Sequence, residues 1–259
     1  EKLNSILTPE EFAPISRLQT KIQECIDKVT ENNPDDGVFV RLSTRSPKDA
    51  ALVLESTRDY LAQNIANDKN VYKNKEEELS NNTILYTRAT WRALRIQNAE
   101  QAIDLFLKSN RTHMDLSFAE LKQDKFDVKM IVRKWCEFCP EWEFRVFIFK
   151  KCLTGCSQYY PLVFLPEMLN NKAKIQKVIE EYWELIKDQI PCEDFTLDIV
   201  INPEDFSVQI VEINPTPPTA GGSLYDWKSE SDVDQAHNGP FEVRIHESFP
   251  MDEWDKMHP

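Results

Sequence analysis

Two acidic residues and an asparagine stand where the sequence predicts a single β-hairpin. Two apolar runs flank the polar turn Asn202-Pro203-Glu204-Asp205-Phe206, and a short turn of this kind joins antiparallel strands. A turn centred on its middle residues gives paired positions an index sum of about 409 or 410. Asp198 is therefore expected opposite Glu212 or one residue away. Asn214 lies two positions beyond Glu212, so its side chain is expected on the same face.

Three oxygen donors on one face indicate a site for a hard cation. Carboxylates placed across a strand pair repel each other unless a cation or a proton neutralises them. Mg²⁺ accepts carboxylate and amide oxygens and completes its octahedron with phosphate oxygens and water. The other interpretation is an exposed, solvated acidic face. The apolar setting favours the metal, because acids in apolar surroundings need partners. One face of the hairpin is predicted to be buried through Leu197, Ile199, Val211 and Ile213. The acidic face is predicted to be partly apolar through Val200, Val208 and Ile210.

Cationic side chains occur within other hydrophobic runs of the chain. They are Arg41, Arg133, Lys134 and Arg145. Each could simply form a salt bridge or reach solvent along its alkyl stem. Together they could neutralise and orient a polyphosphate while Mg²⁺ bridges its oxygens, as phosphoryl chemistry requires. The sequence contains neither a Walker A motif nor a G-x-G-x-x-G motif, so a P-loop or Rossmann cradle is not predicted.

The composition excludes several classes of protein. A formal charge of −13 over 259 residues opposes general nucleic-acid binding, and no apolar run approaches the length of a membrane span. We expect a soluble, cytoplasmic protein whose six cysteines are reduced. A four-thiolate zinc site is a further hypothesis, because the spacing of Cys136, Cys139, Cys152 and Cys156 would allow one. Buried thiols on neighbouring strands are the alternative.

The pattern of elements predicts an α+β, or mixed α/β, protein. Apolar residues at helical spacing predict helices from Ile15, from Ala99 to Leu107 and from Ile175 to Ile186. The polar stretch from Asp68 to Thr83 is expected to be a surface loop. Three runs between Val128 and Tyr160 suggest an antiparallel meander. We predict an N-terminal lobe over 1–127, a C-terminal lobe with the metal-binding hairpin over 128–227, and an acidic tail over 228–259 with one short strand.

Five motifs, in this order, resemble the family of cell division cycle protein 123. They are Phe39-Val40-Arg41-Leu42-Ser43-Thr44-Arg45-Ser46-Pro47-Lys48-Asp49-Ala50, Val132-Arg133-Lys134-Trp135-Cys136, Glu143-Phe144-Arg145-Val146-Phe147, Leu197-Asp198-Ile199 and Val211-Glu212-Ile213-Asn214-Pro215. The resemblance runs from about Val38 to Trp227. Five separate motifs in order are more specific than any single one.

The resemblance implies an ATP-grasp fold, in which two lobes with antiparallel sheets enclose a nucleotide cleft. It implies Asp198, Glu212 and Asn214 as Mg²⁺ ligands, and a nucleotide pocket that includes Arg41, Ser43, Ser46, Arg133, Lys134, Trp135, Arg145 and Ser157. It also implies a chaperone that assembles eukaryotic translation initiation factor two by binding its gamma subunit. The family often has lysine at Arg41 and aspartate at Glu212. The alternative is an ATP-grasp ligase or phosphotransferase with an unknown acceptor.

Overall fold

The chain folds into two compact units. A computed structural model describes residues 9–33, 35–68, 71–121, 127–217 and 219–257, and gives only the backbone of residues 9–12 and 257. Unit 1 consists of Glu1–Asp68 and Ala89–Glu137, and unit 2 of Lys69–Arg88 and Phe138–Pro259. The boundary expected between residues 127 and 128 thus lies within unit 1. Within the described ranges, no helix has the length and apolar character needed to cross a membrane.

Unit 1 packs helices around a two-stranded antiparallel sheet. The sheet pairs β1 (Val38–Leu42) with β2 (Met130–Lys134). The helices are α1, α2, the end of α3, α4 and α5, at Pro9–Val29, Glu55–Asn67, Lys75–Arg92, Ala99–Lys108 and Asn110–Leu121, with a short 3-10 helix at Lys48–Val53. The apolar residues predicted on α1 and α4 pack with the sheet, since Ile22, Ile26, Val40 and Leu105 are all buried in one core.

Unit 2 is built on a five-stranded sheet with the strand order β6-β5-β3-β4-β7. Its strands β3 to β7 are Glu143–Phe149, Cys152–Gln158, Phe195–Ile201, Val208–Asn214 and Val243–Arg244. All neighbours are antiparallel except β4 and β7, which are parallel. The short α6 (Pro166–Asn170) precedes α7 (Lys172–Ile186). Ile175, Ile179 and Trp183 of α7 are buried in the same core as β3 and β5, which confirms this helix as one that packs on the sheet.

The predicted loop from Asp68 to Thr83 is wrong over most of its length, because α3 begins at Lys75; residues 69–70 lie outside the described part. Three glutamates in the first turn favour the helix N-terminus, and the Asn74 side chain accepts a hydrogen bond from the Glu77 N–H at 2.9 Å. The buried face of α3 carries Ser80, Thr83 and Thr87. The threonine hydroxyls donate to carbonyl oxygens one turn earlier, so the helix buries polar residues that show no hydrophobic period.

Two further expectations are corrected by the strand pairing. The first run of the predicted meander, β2, pairs with β1 in unit 1 rather than with β3. The segment after residue 228 was expected to be a tail on the surface, but it contributes α8 (Glu230–Asn238), β7 and α9 (Met251–Met257). Val243 and Ile245 join the main core of unit 2, so part of this segment belongs to the folded body.

Candidate metal and nucleotide site

A row of polar residues crosses the five-stranded sheet from edge to edge. Strand register pairs Arg244 of β7 with Ser157 of β4, and Ser157 with Arg145 of β3. Arg145 in turn pairs with Asp198 of β5, and Asp198 with Glu212 of β6. Paired residues on neighbouring strands point to the same face. We call these five residues the polar row; four of them were expected from the sequence to bind metal or nucleotide.

The centre of the polar row is a buried ion pair. Arg145 Nε donates to Asp198 Oδ1 at 2.8 Å, and its Nη2 donates to Asp198 Oδ2 at 2.8 Å. Asp198 is fully buried and Arg145 is 8% exposed. Burial alone would lower the pKa of Arg145, but the hydrogen bonds and charge of Asp198 raise it well above its ordinary value. The guanidinium therefore stays charged, and its fork fixes the orientation of the Asp198 carboxylate.

The hairpin brings the three predicted oxygen donors together. Asp198 lies directly opposite Glu212, as the index sum predicts, and paired Cα atoms of such strands are about 5 Å apart. Asn214 Nδ2 donates to Asp198 Oδ2 at 2.7 Å. The Asn214 carbonyl oxygen and the Glu212 carboxylate therefore belong to the same small region as Asp198. Thr196 pairs with Asn214 on this face and is fully buried.

The apolar face of the hairpin differs in part from the prediction. The register shifts between Asp198 and Ile199, so that β6 carries an extra residue at Val211. Ile213 was expected to be buried but is 48% exposed, and Ile210 is 38% exposed. β6 is an edge strand of the sheet. Among its apolar residues, Val208 and Val211 pack against the core. Sequence alternation could not reveal the bulge.

Ser157 connects the sheet, through a hydrogen bond, to the segment that follows the β5–β6 hairpin. It is fully buried, its Oγ donates to the Gln158 carbonyl at 2.9 Å, and it accepts from the Leu224 N–H at 3.0 Å. Arg145 reaches the same segment, since its Nη1 donates to the Gly221 carbonyl at 2.8 Å. The Tyr159 ring packs on this guanidinium, with 4.8 Å from Arg145 Cζ to the ring centroid.

The other six expected nucleotide residues lie in unit 1. Arg41 is half-buried on β1, and its Nε donates to the Leu42 carbonyl at 3.0 Å. Ser43 is exposed just after β1, and its Oγ accepts from the Lys129 N–H at 3.1 Å. Ser46 is buried. These three residues follow one another along the end of β1 and the turn after it.

The motif on β2 presents charge and an aromatic surface in unit 1. Arg133 is exposed, with its Cζ 4.7 Å from the centroid of the Phe39 ring. Lys134 Nζ lies 2.8 Å from Asp36 Oδ2, and the hydrogen bond with this carboxylate raises the pKa of Lys134. Trp135 packs against Trp91 with ring centroids 4.5 Å apart. Strand register places Arg133 on the same face as Arg41 of β1.

The residues around Asp198 fit a hard divalent cation. Two carboxylates and an amide oxygen form the donor set that Mg²⁺ uses in proteins, and hydrogen bonds from neighbouring side chains commonly fix the orientation of a carboxylate that binds a metal. Among the described residues there is no group of three or more His, Cys, Asp or Glu side chains placed to hold a metal ion, so an amide or a bound ligand would have to complete the coordination.

The cysteines do not support the zinc hypothesis. Cys152 is exposed at the start of β4, whereas Cys156 is fully buried near its end. Four residues of extended chain separate them by about 13 Å, too far to share one ion. Burial raises the pKa of the Cys156 thiol, which opposes the thiolate that zinc requires. In the part of the chain that the structure describes, the thiols do not form a metal cluster.

Three residues of the site were missed by sequence reasoning. Arg244 ends the polar row, Gly221 accepts from Arg145 through its carbonyl, and Tyr159 stacks on the same guanidinium. Arg244 stands in the short predicted strand near the C-terminal end, where an arginine between Val243 and Ile245 was the available signal. The role of the Gly221 carbonyl could not be predicted from the sequence, because every residue has a backbone carbonyl and the residue type does not show which one accepts a hydrogen bond.

Comparison with known proteins gives a consistent set of relatives. A family model described as D123 matches residues 87–252. A Candida albicans protein named "Translation initiation factor eIF2 assembly protein" is 24% identical over 243 residues, covering 88% of this chain and 59% of that protein. A protein of the same name from Sclerotinia sclerotiorum is 30% identical over 161 residues, covering 54% of this chain and 37% of that protein. The chain thus spans less than two thirds of either relative.

A solved structure shares the fold. The structure of Cdc123 from Schizosaccharomyces pombe matches with a TM-score of 0.60 at 20% identity, covering 87% of this chain and 77% of that one. At this identity the likeness shows the fold alone.

Proposed function

This chain belongs to the D123 family, and from that premise we propose that it binds Mg²⁺-ATP at the polar row and assists the assembly of eIF2. The family resemblance found in the sequence motifs is confirmed. Binding of nucleotide, a part in eIF2 assembly and the subunit that the protein contacts are the steps that the proposal adds. The proposed nucleotide-binding fold is of the ATP-grasp type.

The observation that carries the nucleotide proposal is the register of the β5–β6 hairpin. Asp198 faces Glu212, and Asn214 is hydrogen bonded to Asp198. Two facing carboxylates repel each other; Arg145 balances the charge of Asp198, and a divalent cation would balance the remaining charge of Glu212. Glu212 and Asn214, both half-buried, are the side chains that would present oxygens to the ion. Asp198, oriented by Arg145, would complete the set.

Asp198, Glu212 and Asn214 would hold Mg²⁺ at this position, and the ion would supply positive charge to the phosphates of ATP. The protein residues bind and orient: Arg145 holds Asp198 in place, and the Asn214 amide is fixed by its hydrogen bond to Asp198. For Arg41, Ser43, Ser46, Arg133, Lys134 and Trp135 of unit 1, a role in nucleotide binding remains a prediction from the family resemblance. Their charge and aromatic surface suit a phosphate and a base.

The partner is proposed from the names of the relatives. Two of them are called eIF2 assembly proteins, so eIF2 is the proposed partner and its gamma subunit the proposed point of contact. A translation factor as partner predicts a cytoplasmic location. The acidic balance of the chain, −13, agrees with a protein partner rather than a bare nucleic acid.

Calorimetric titration with ATP, in the presence and absence of Mg²⁺, tests the nucleotide proposal. Glu212→Gln is the best variant, because Glu212 lies on the edge strand and its substitution leaves the buried Arg145–Asp198 pair intact. Glu204→Gln makes the same chemical change at an exposed residue of the turn in the same hairpin. We expect Glu212→Gln to weaken Mg²⁺-dependent binding by about tenfold or more, and Glu204→Gln to have no effect.

Equal effects of the two substitutions would refute the assignment of Glu212 to the metal. Binding that is strong but indifferent to Mg²⁺ would refute the cation site and leave a nucleotide site of another kind. The partner is tested separately by binding the purified eIF2 subunits one at a time to the immobilised chain, where retention of the gamma subunit is the expected result. Retention of another subunit alone would contradict the proposed contact.

A further inference from the structure

The segment Ala220–Trp227, which we call the strap, is held against the polar row at its inner end. Gly221 accepts from Arg145 Nη1 at 2.8 Å, and the Leu224 N–H donates to Ser157 Oγ at 3.0 Å. Ser223 Oγ donates to the Tyr159 carbonyl at 3.1 Å. These bonds join the strap to two strands of the sheet. Among them, the bond from Arg145 is the one that connects the strap to the Asp198 carboxylate.

The outer end of the strap is anchored by the far side of the polar row. The Arg244 guanidinium lies over the Tyr225 ring, with 3.7 Å from its Cζ to the ring centroid. Arg244 also pairs with Asp232 at 2.8 Å and with Glu242 at 2.7 Å, and Tyr225 Oη donates to Glu242 at 3.1 Å. The strap therefore has one anchor at each arginine of the row.

The two anchors differ in what they depend on. The acidic partners of Arg244, Asp232 and Glu242, are half-buried residues outside the candidate metal site. Arg145, in contrast, divides its guanidinium between the proposed metal ligand Asp198 and the strap carbonyl. A guanidinium is a rigid planar fork, so the two bonds from Arg145 to Asp198 help to direct its third bond toward Gly221. Whatever changes the position of the Asp198 carboxylate therefore also changes the inner anchor.

We infer that Arg145 is a positioning residue that couples the Asp198 carboxylate to the strap, so that the state of this carboxylate controls how firmly the strap covers the sheet. Asp198 has no exposed surface, so a ligand reaches it only when the neighbouring groups move. Arg145 is one of these groups and also holds the strap, so in its bearing on Mg²⁺ the inference rests on the proposed function. The coupling itself belongs to the ligand-free protein.

Hydrogen–deuterium exchange of the ligand-free protein tests the coupling. Asp198→Asn removes the charge that orients Arg145, and the hydrogen bonds that Asp198 accepts from Arg145 and Asn214 come from residues outside the strap. We expect exchange of the Leu224 and Tyr225 amides to rise about tenfold or more, the factor that one charge-assisted hydrogen bond supplies. Asp205→Asn, the same change in the exposed turn of the hairpin, is the matched control and should leave the strap unchanged.

A second variant separates positioning from general loss of stability. Arg145→Lys keeps the positive charge but lacks the fork that reaches both partners, so it should loosen the strap while the Ile199 amide of β5 keeps most of its protection. The double variant with Asp198→Asn should then loosen the strap no further than either single variant. Equal acceleration of strap and β5 amides, additive effects, or an unchanged strap in both variants would overturn the inference.

The outcome is independent of nucleotide binding. Loss of ATP binding in calorimetry would refute the proposed function while leaving the exchange result to decide the coupling. A strap indifferent to Asp198 and Arg145 in a protein that binds Mg²⁺-ATP would refute the coupling alone.

Discussion

The buried ion pair of the polar row gives the sharpest stability prediction. Asp198 is fully buried, and its carboxylate accepts three hydrogen bonds between 2.7 and 2.8 Å, two from Arg145 and one from Asn214. Arg145→Met removes the compensating charge and leaves the carboxylate buried. Breaking a buried pair in this way costs about 3–5 kcal/mol, whereas an exposed pair contributes about 0–1 kcal/mol.

A double-mutant cycle isolates the contribution of the pair. Arg145→Met with Asp198→Leu removes both charges and fills the space with apolar groups, a replacement that is often neutral. The double variant should therefore lose less stability than Arg145→Met alone, and the coupling free energy should be about 3 kcal/mol. Urea unfolding followed by circular dichroism measures each free energy of unfolding. Lys177→Met, which breaks the exposed pair with Glu181 in the same unit, is the control.

A loss below about 1 kcal/mol for Arg145→Met would place the pair in the class of exposed pairs and refute the account of a buried, fixed carboxylate. If the changes in the free energy of unfolding from the two single substitutions add up to that of the double variant, the coupling is refuted, even if both substitutions are destabilising.

Three further predictions concern the same unit. The Thr196 hydroxyl is buried and has no hydrogen-bond partner among the described residues, so Thr196→Val should leave thermal stability unchanged or raise it by about 1 kcal/mol; a clear loss would reveal a hidden partner. A Cβ at Gly155 would lie 2.5 Å from Tyr225 Oη, so Gly155→Ala should cost about 1–3 kcal/mol in urea unfolding, and Tyr225→Phe should restore part of it. Burial alone would raise the pKa of Asp232, but hydrogen bonds from a backbone N–H and from Arg244 lower it. The ionised Asp232 carboxylate contributes to folding stability above an unfolded-state pKa of about 3.9. This contribution is lost as the pH falls through the lower pKa of the folded state, so Asp232→Asn should lessen the drop in melting temperature below about pH 4.

The local geometry of the candidate site could be predicted from the sequence. A short turn fixes which residues of a hairpin face each other, so Asp198 and Glu212 could be paired from their numbers alone. Because side chains of a strand alternate between its two faces, the Asn214 side chain could then be placed on the same face as Glu212. The helix over Lys172–Ile186 was equally accessible, because its buried residues recur at helical spacing.

Long-range pairing could not be predicted in the same way. Arg145 meets Asp198 because β3 and β5 are neighbours, although 53 residues separate them along the chain. Sequence reasoning gave Arg145 a phosphate-binding role and did not pair it with Asp198. The same limit applies to β2, whose apolar run predicted a strand but did not identify β1 as its partner.

Helix α3 was missed for a different reason. Its buried residues are Ser80, Thr83, Thr87 and Ala89, and the three hydroxyls donate to backbone carbonyls. A helix that buries small polar residues has no hydrophobic period, and its glutamate-rich first turn has the composition of a solvated loop. The helix start is marked by the Asn74 side chain, which accepts from the Glu77 N–H, and by the Glu77 carboxylate, which accepts from the Lys73 N–H. These signals are weak without the structure.

The central claim is that the β5–β6 hairpin holds one divalent cation together with ATP. Mn²⁺ replaces Mg²⁺ in such oxygen sites, and the electron paramagnetic resonance signal of free Mn²⁺ falls when the ion is bound to protein. In a mixture with ATP, the account predicts that the wild-type chain and Glu204→Gln bind one equivalent of Mn²⁺-ATP, and that Glu212→Gln binds it about tenfold more weakly. Identical Mn²⁺ binding by all three proteins, or none by the wild type, would contradict the account.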